Sequence, residues 1–365
     1  MSTEGARRHF EAVLDDLLRA AGGSLSVEEY MRAALYHPEV GYYSRHVRGI
    51  GRRGDFSTSV TLSPALGQAI ARWAVKRRRT LGLRWKWHLI EVGAGTGQLA
   101  LAVLNAFSPL ARRRVVYHIV EASQALIEIQ QSALGAHHIR WHADVQQALA
   151  AADGAALVFS NELADAFPCV QIERTDRGWE EVRVTRDERG FAEILVPFAD
   201  ERAAHWPPSV LAKWREFSRG QRCEVHFAYA AWLGELAGAL KRGRLLTIDY
   251  GDDLERLYYR RPRGTLRGYI FHTLVQGLQI YQRFGRQDLT ADINFTDLAT
   301  WGAQCGLLAV DFIPQRDFLL RYLPRAEAQA AHDPALAFLL NPDGVGGLYK
   351  VIEQAPGISS SRFIS

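Results

Sequence analysis

Cysteine is scarce in this chain. Its 365 residues include 3 Cys, namely Cys169, Cys223 and Cys305, and no two of them form a C-x-x-C pair. This spacing excludes a disulfide framework and gives no support to a zinc site, so we expect a reducing compartment. No group of His and Cys suggests another metal either, and the sequence therefore predicts no metal cofactor.

Long apolar runs are also missing, and we expect no secretory leader. Residues Met1 to Phe10 contain no apolar segment of the kind found in signal peptides. No stretch of the sequence is long enough to span a bilayer. We therefore expect a cytoplasmic protein that is not inserted in a membrane.

Lysine is rare, and nearly all positive charge is arginine. Lys+Arg number 44 against 40 Asp+Glu, a formal net charge of +4. The densest basic run, Lys76 to Arg79, ends a predicted helix and is interpreted as a solvated helix end. No aromatic-interleaved basic stripe accompanies it, so no nucleic-acid partner is predicted.

Hydrophobic periodicity predicts alternating strands and helices. The predicted strands are 87–92, 115–120, 139–141, 155–160, 244–248, 308–312 and 348–353. The predicted helices are 9–22, 26–36, 64–76, 97–106, 123–134, 208–218, 225–240 and 296–305. This alternation is typical of an α/β fold with a mostly parallel sheet, although 170–196 reads as an antiparallel excursion.

These patterns also suggest a division of the chain. The predicted segments are an N-terminal helical element with a cofactor-covering loop (1–80), a Rossmann-like core (81–251), an acceptor-side insertion (252–295), the C-terminal part of the core (296–355) and a disordered tail (356–365). The Gly- and Arg-rich loop 39–63 is long enough to indicate a functional role. Asp55 in that loop is predicted to fold across a cofactor.

A glycine-rich turn follows the strand at 87–92. It reads Glu91-Val-Gly93-Ala-Gly95-Thr-Gly97-Gln98 and opens a helix, whose N-terminus offers free N–H groups. A dinucleotide fingerprint needs its third glycine at position 98, where this chain has Gln98. The spacing instead favours a ligand without a pyrophosphate, and S-adenosylmethionine is the candidate.

Acidic residues end the neighbouring strands. Glu121 closes the second strand, where a carboxylate can accept both hydroxyls of a ribose. Asp144 follows the third strand and is predicted to meet the adenine amino group. Glu91, Gly93, Gly95 and Gly97 complete the predicted cofactor site.

With these motifs the chain resembles the MidA-like methyltransferases, whose mitochondrial relatives serve complex I assembly. The resemblance runs from about Ser26 to Val351. The motifs that carry it are Met31-Arg-Ala-Ala-Leu-Tyr36-His-Pro38, Gly54-Asp55-Phe56-Ser57-Thr58-Ser59, the glycine turn, Asn161-Glu162-Leu-Ala-Asp165-Ala-Phe-Pro168, Gly178-Trp179-Glu-Glu181, Asp249-Tyr250-Gly251, Arg263-Gly264-Thr265-Leu266-Arg267-Gly268-Tyr269 and Gln287-Asp288-Leu289-Thr290-Ala291-Asp292.

The resemblance implies a class I methyltransferase fold with an antiparallel final strand and methylation of arginine on a protein, with a respiratory complex subunit as one candidate. It adds Thr58 and Asn161 to the cofactor site. For the acceptor we favour Glu162, supported by Asp165 and Asp249, because carboxylates grip a guanidinium and can take a proton. Oligomeric state and the type of arginine methylation stay open.

Departures from the family pattern keep alternatives open. Val60-Thr61 stands where the family usually has Pro-Glu, and Leu163-Ala164 stands where it usually has aromatic residues. These positions lie near the expected acceptor side, so the acceptor could be a small molecule. A non-catalytic assembly factor that keeps the fold is a second alternative, and a nicotinamide enzyme is a third.

Overall fold

The computed structural model describes residues 3–45, 63–83, 85–135, 137–270 and 273–357. Its strands, in chain order, are β1 (Ser24–Ser26), β2 (Trp87–Val92), β3 (Val115–Val120), β4 (Ile139–His142), β5 (Ala155–Asn161), β6 (Val170–Thr175), β7 (Gly178–Asp187), β8 (Gly190–Pro197), β9 (Arg222–Val225), β10 (Arg242–Asp252), β11 (Arg267–Ile270), β12 (Thr273–Val275), β13 (Asp288–Thr290), β14 (Ile293–Asn294), β15 (Leu307–Pro314) and β16 (Tyr349–Pro356).

The helices of the described residues, in chain order, are α1 (Thr3–Ala20), α2 (Val27–Tyr36), α3 (Tyr42–Arg45), α4 (Ala65–Thr80), α5 (Gln98–Ala106), α6 (Pro109–Arg112), α7 (Gln124–Leu134), α8 (Val145–Ala150), α9 (Arg202–His205), α10 (Ser209–Ala212), α11 (Phe227–Ala239), α12 (Leu254–Tyr258), α13 (Phe295–Gln304), α14 (Gln315–Tyr322), α15 (Ala326–Ala330), α16 (Pro334–Leu340) and α17 (Val345–Leu348). None of these helices is long and apolar enough to cross a membrane.

The chain forms two compact units. The central-sheet unit takes its described residues from Ser57–Ala164, Ala230–Asp252 and Leu298–Ser365. The insertion unit takes them from Met1–Phe56, Asp165–Tyr229 and Asp253–Asp297. In this division α4 lies in the central-sheet unit and 165–229 in the insertion unit, and the segments suggested by the sequence stay predictions. Most of the predicted tail, residues 358–365, lies outside the described residues.

The central sheet has the strand order β15-β16-β10-β5-β2-β3-β4. Strands β10, β5, β2, β3 and β4 run parallel to one another. β16 pairs antiparallel with both β10 and β15. The predicted α/β class, mostly parallel with an antiparallel final strand, is therefore confirmed.

Continuous apolar strands explain this sheet. Ala156, Leu157, Val158 and Phe159 of β5 are all fully buried, as a strand covered on both faces requires. On α4 the buried residues include Leu66, Ile70 and Trp73, which recur at helical spacing and join the same core. This packing is why α4 belongs with the sheet.

The insertion unit is built on antiparallel pairing. Its larger sheet has the order β1-β7-β6-β9, with β8 on β7, and a small sheet has the order β12-β11-β13. The Ser26–Glu29 capping box predicted for α2 is present, and α2 ends at Tyr36 as predicted. The predicted hairpin around Asp187–Gly190 is also confirmed.

Candidate functional site

The glycine turn joins β2 to α5 in the central-sheet unit. Gly93, Gly95 and Gly97 have φ values of +73°, +53° and +81°, a region that glycine adopts without strain. A Cβ on Gly93 would lie 2.8 Å from Leu163 Cδ1, so this turn packs tightly against the 163 side chain. A Cβ on Gly95 would meet no atom within 4 Å. The turn therefore has an open side at Gly95.

Glu121 lies just past β3, on the strand next to the glycine turn. Its main-chain N–H donates to the His142 carbonyl at 3.0 Å, and its Oε1 accepts the Ser123 N–H at 2.9 Å. Burial raises the pKa of Glu121, while the hydrogen bond from Ser123 lowers it. The carboxylate is thus partly desolvated and held in position by main-chain groups.

Gln130 of α7 links Glu121 to the glycine turn, and sequence reasoning missed it. Its Nε2 donates to Gly95 O at 2.9 Å and to Glu121 Oε2 at 3.2 Å. Its Oε1 accepts the indole N–H of Trp141 at 2.9 Å. The available signal was a glutamine at 130 between Leu126 and Leu134, in the middle of a buried i, i+4, i+8 stripe.

Glu91 and Asp144 are engaged within the protein. Glu91 is 2% exposed, its Oε2 accepts the Tyr117 hydroxyl at 2.5 Å, and burial raises its pKa to about 7. Asp144 is exposed and caps α8, with Oδ1 accepting the Gln147 N–H at 2.8 Å and Oδ2 accepting Gln147 Nε2 at 2.7 Å. The cofactor contacts predicted for both residues stay predictions.

Glu162 follows β5 in a left-handed conformation, with φ of +51°. A non-glycine residue with this conformation is uncommon and is often found at functional sites. Its N–H donates to Ile248 O at 3.0 Å, its Oε1 accepts Asn161 Nδ2 at 3.2 Å, and its carboxylate is hydrogen-bonded to Tyr349. Asn161 Oδ1 is buried and has no hydrogen-bond partner among the described residues.

Asp249 holds the segment after Glu162. It is fully buried at the carboxyl-terminal part of β10. Its Oδ2 accepts the N–H groups of Leu163 at 3.2 Å and Ala164 at 2.8 Å, while Oδ1 accepts the Tyr250 N–H at 2.9 Å. Because Leu163 in turn packs at Gly93, the structure brings Glu162, Asp249 and the glycine turn together.

Asp165 is assigned to the insertion unit. It is 4% exposed, and burial raises its pKa to about 7 against the opposing charge of Arg267. Asp288 interacts with it electrostatically, accepts the Tyr43 hydroxyl at 2.9 Å and has a pKa raised by burial to about 8. Asp292 forms ion pairs with Arg261 and Arg267. The catalytic role of Asp165 stays a prediction.

Two predicted cofactor residues, Asp55 and Thr58, lie outside the described residues. Among the described residues, no group of His, Cys, Asp or Glu could hold a metal ion. The central-sheet unit does fit S-adenosylmethionine in chemistry. It offers an open glycine turn at a helix N-terminus for a polar group and a fixed carboxylate, Glu121, for ribose hydroxyls.

Comparisons with known proteins identify the family of this chain. Residues 69–313, more than half of the chain, match a family model described as S-adenosyl-L-methionine-dependent methyltransferase. A Caenorhabditis elegans relative named protein arginine methyltransferase NDUFAF7 homolog, mitochondrial, is 27% identical over 317 residues, covering 80% of this chain and 71% of the relative. The Mus musculus protein arginine methyltransferase NDUFAF7, mitochondrial, is 29% identical over 328 residues, covering 81% and 70%.

A solved structure from Burkholderia thailandensis is similar over nearly its whole length. That protein is described as a methyl transferase and was solved with S-adenosyl-homocysteine bound. It is 30% identical, has a TM-score of 0.83, and the match covers 98% of this chain and 94% of the other. The chain belongs to this family of S-adenosyl-L-methionine-dependent methyltransferases.

Proposed function

We propose that this methyltransferase modifies an arginine side chain of a protein substrate. The names of the C. elegans and mouse relatives, both protein arginine methyltransferases, support this acceptor class. The observation that carries the proposal is the placement of Glu162, whose carboxylate lies on the segment packed against the glycine turn.

A carboxylate suits an arginine acceptor. The guanidinium is planar and cationic, and a carboxylate can accept two parallel N–H bonds from it. Such a pair fixes which nitrogen points away from the carboxylate. The neighbouring groups Asn161 and Tyr349 both bond to Glu162, so its orientation is set before an acceptor arrives.

When bound, S-adenosylmethionine would supply an electrophilic methyl group, so that the acceptor nitrogen would form the new N–C bond as the S–C bond breaks and its electron pair stays on sulfur. Glu162 orients the nitrogen that points away from it, and its carboxylate can accept a proton from one of the two guanidinium nitrogens that it holds. Asp249 keeps Glu162 in place through the 163–164 main chain. These residues should raise the reaction rate mainly by positioning the acceptor nitrogen.

The direct test is to incubate the chain with methyl-labelled cofactor and protein acceptors, including purified respiratory complexes, and to map the label by mass spectrometry. We expect label on arginine side chains. The Glu162→Gln variant should bind the cofactor normally in calorimetry and lose at least a hundredfold in turnover. Label found only on a small molecule would contradict the protein acceptor.

The same measurements separate the non-catalytic alternative. An assembly factor that kept only the fold would give no labelled product with any acceptor, whether or not it bound the cofactor. Gln130 hydrogen-bonds to both Gly95 and Glu121, so the predicted cofactor residues are held together, which supports an active enzyme.

The cellular location is also a proposal. We propose that the chain works in the cytoplasm, a reducing compartment, and its free cysteines Cys169, Cys223 and Cys305 support this. The names of the C. elegans and mouse relatives place those proteins in mitochondria. Cell fractionation with an antibody to the chain decides between the two compartments.

A further inference from the structure

The side-chain amide of Gln130 contacts both parts of the cofactor site. We propose that Gln130 is a positioning residue for the cofactor, which fixes the Glu121 carboxylate and the Gly95 peptide relative to each other. The proposal rests on the predicted ribose contact of Glu121. It does not depend on which acceptor the enzyme uses.

The hydrogen bonds determine the orientation of the amide. The indole N–H of Trp141 is a donor only, so the atom that it meets must be Oε1 of Gln130. The NH₂ group must therefore face the other way, toward Gly95 O and Glu121 Oε2. Both amide hydrogens have an acceptor, and a flipped amide would lose all three bonds.

The position of Gln130 in α7 argues against a simple packing role. Leu126 and Leu134 share its buried stripe, and Gln130 itself is 0% exposed. Burying an amide is unfavourable unless its polar atoms are hydrogen-bonded, so a leucine or methionine would fill this stripe at lower cost. A glutamine here is explained by the groups that it orders.

The hydrogen bond to Glu121 orients its carboxylate to bind the two ribose hydroxyls. Oε1 is held by the Ser123 N–H and Oε2 by Gln130, so both oxygens are fixed. Each carboxylate oxygen can accept more than one hydrogen bond, so each retains capacity for a ribose hydroxyl. Without Gln130, the Glu121 carboxylate would keep only main-chain donors, those of Ser123 and Ala122.

The bond to Gly95 orients the glycine turn. In a trans peptide the C=O and the following N–H point in opposite directions. Because Gly95 O points at Gln130, the N–H of Thr96 points away from it. One side chain thus sets a peptide of the turn and the neighbouring carboxylate together.

The test replaces Gln130 by methionine, which has a similar length and no amide. Calorimetry would measure the Kd of S-adenosylhomocysteine and of its 2′-deoxy and 3′-deoxy analogues. Wild-type protein should bind the analogues at least tenfold more weakly, and Glu121→Gln should abolish that preference. Gln130→Met should weaken the binding of S-adenosylhomocysteine at least tenfold. It should also reduce the preference for this ligand over its deoxy analogues to less than threefold.

Turnover supplies the second measurement. In Gln130→Met the KM for S-adenosylmethionine should rise at least tenfold, while kcat at saturating cofactor stays within threefold of wild type. Gln131→Met is the matched control, because Gln131 is the exposed neighbour on the same helix. It should leave both parameters unchanged.

Either of two results would overturn the proposal: unchanged affinity in Gln130→Met, or equal weakening of all three ligands with the hydroxyl preference retained. If Gln130→Met does not fold, Trp141→Phe removes only the donor to Oε1 and leaves the amide free to turn. That variant should weaken S-adenosylhomocysteine at least threefold and reduce the hydroxyl preference, and an unchanged preference would contradict the proposal.

Discussion

The Oδ2 atom of Asp249 accepts the main-chain N–H of Ala164 at 2.8 Å. This bond crosses from the end of β10 to the segment that follows β5, two strands that are neighbours in the sheet. Since the same oxygen also accepts the Leu163 N–H, one buried carboxylate fixes the main chain next to Glu162. The acid therefore acts on the site through the backbone.

The first prediction concerns Asp249→Asn. The asparagine side chain has one acceptor oxygen where Asp249 has two. Its NH₂ group must therefore face at least one of the three main-chain N–H groups that Asp249 binds. A buried donor left without an acceptor costs about 1–3 kcal/mol, and we expect that loss in the free energy of unfolding measured with urea. Turnover should fall at least tenfold, because Glu162 loses its support.

Asp252→Asn is the control for this prediction. Asp252 lies on the same strand, its side chain is 21% exposed, and it forms an ion pair at 2.9 Å with the buried Lys350. Because Lys350 is buried, losing the charge of Asp252 should also lower the free energy of unfolding, but turnover should not change. Equal stability and equal turnover in Asp249→Asn and wild type would contradict the role assigned to Asp249.

The second prediction uses the open side of the glycine turn. Gly95 and Gly82 have φ values of +53° and +56°, and a Cβ on either would meet no atom within 4 Å. Replacing each by alanine should cost a similar backbone strain, about 1–2 kcal/mol of unfolding free energy. Only Gly95→Ala should weaken S-adenosylmethionine binding, by at least tenfold in calorimetry, because its methyl group enters the cofactor side. Equal binding by the two variants would show that the cofactor does not approach Gly95.

Local patterns in the sequence predicted most of the central sheet. The strand 87–92 and the helix that starts after Gly97 have the predicted bounds, because apolar runs and glycine positions determine them locally. Strands β1 and β9 were missed because they are 3 and 4 residues long and depend on pairing with β7 and β6. Short strands of this kind carry little periodicity of their own.

The predicted helix at 208–218 is wrong. The structure has α10 (Ser209–Ala212) and a separate 3-10 turn at Trp214–Glu216, with Lys213 between them at φ −108° and ψ 17°. Apolar residues at helical spacing misled the prediction here. Further on, no helix or strand was predicted within 252–295, yet the segment contains α12 and strands β11 to β14. The helices α14 to α17 were not predicted either.

The candidate site was only partly predictable. Strand-end position identified Glu121, Glu162 and Asp249, because parallel strands end on one edge of a sheet. It could not show that Asp249 bonds main-chain N–H groups from another strand, nor that Gln130 joins Gly95 to Glu121. Those contacts link residues 9 to 86 positions apart, and although a glutamine in an apolar stripe marked position 130, the sequence did not show its partners.

The third prediction is a pH effect of Glu91. Burial raises the pKa of this carboxyl to about 7, above its ordinary value of 4.5. Its contribution to stability is therefore present below pH 4.5 and is lost as pH rises through 7, by at most about 1.4 kcal/mol per pH unit. Glu91→Gln keeps an acceptor for the Tyr117 hydroxyl and should gain stability relative to wild type between pH 5 and pH 8. The exposed Glu128→Gln control should show no such trend, and a parallel trend in both variants would contradict the assignment.

The fourth prediction concerns three histidines on adjacent strands. His118 Nε2 lies 2.9 Å from His88 Nδ1, and His118 Nδ1 lies 2.9 Å from His142 Nε2. Each of the two hydrogen bonds needs one proton, so the three rings can carry only one net positive charge before a donor faces a donor. Burial, followed by the charges of His88, His142 and Arg140, lowers the pKa of His118 to about 3.

The sign of the effect is opposite to that of Glu91. Between pH 3 and 6.5 the unfolded chain binds a proton at His118 that the folded chain does not, so the free energy of unfolding falls as pH falls, by at most about 1.4 kcal/mol per unit. His118→Gln can still donate to one neighbour and accept from the other. It should reduce the fall in unfolding free energy between pH 7 and pH 4, measured by urea titrations. The exposed His138→Gln control should keep the wild-type slope. An unchanged slope in His118→Gln would mean that other groups cause the loss of stability in acid.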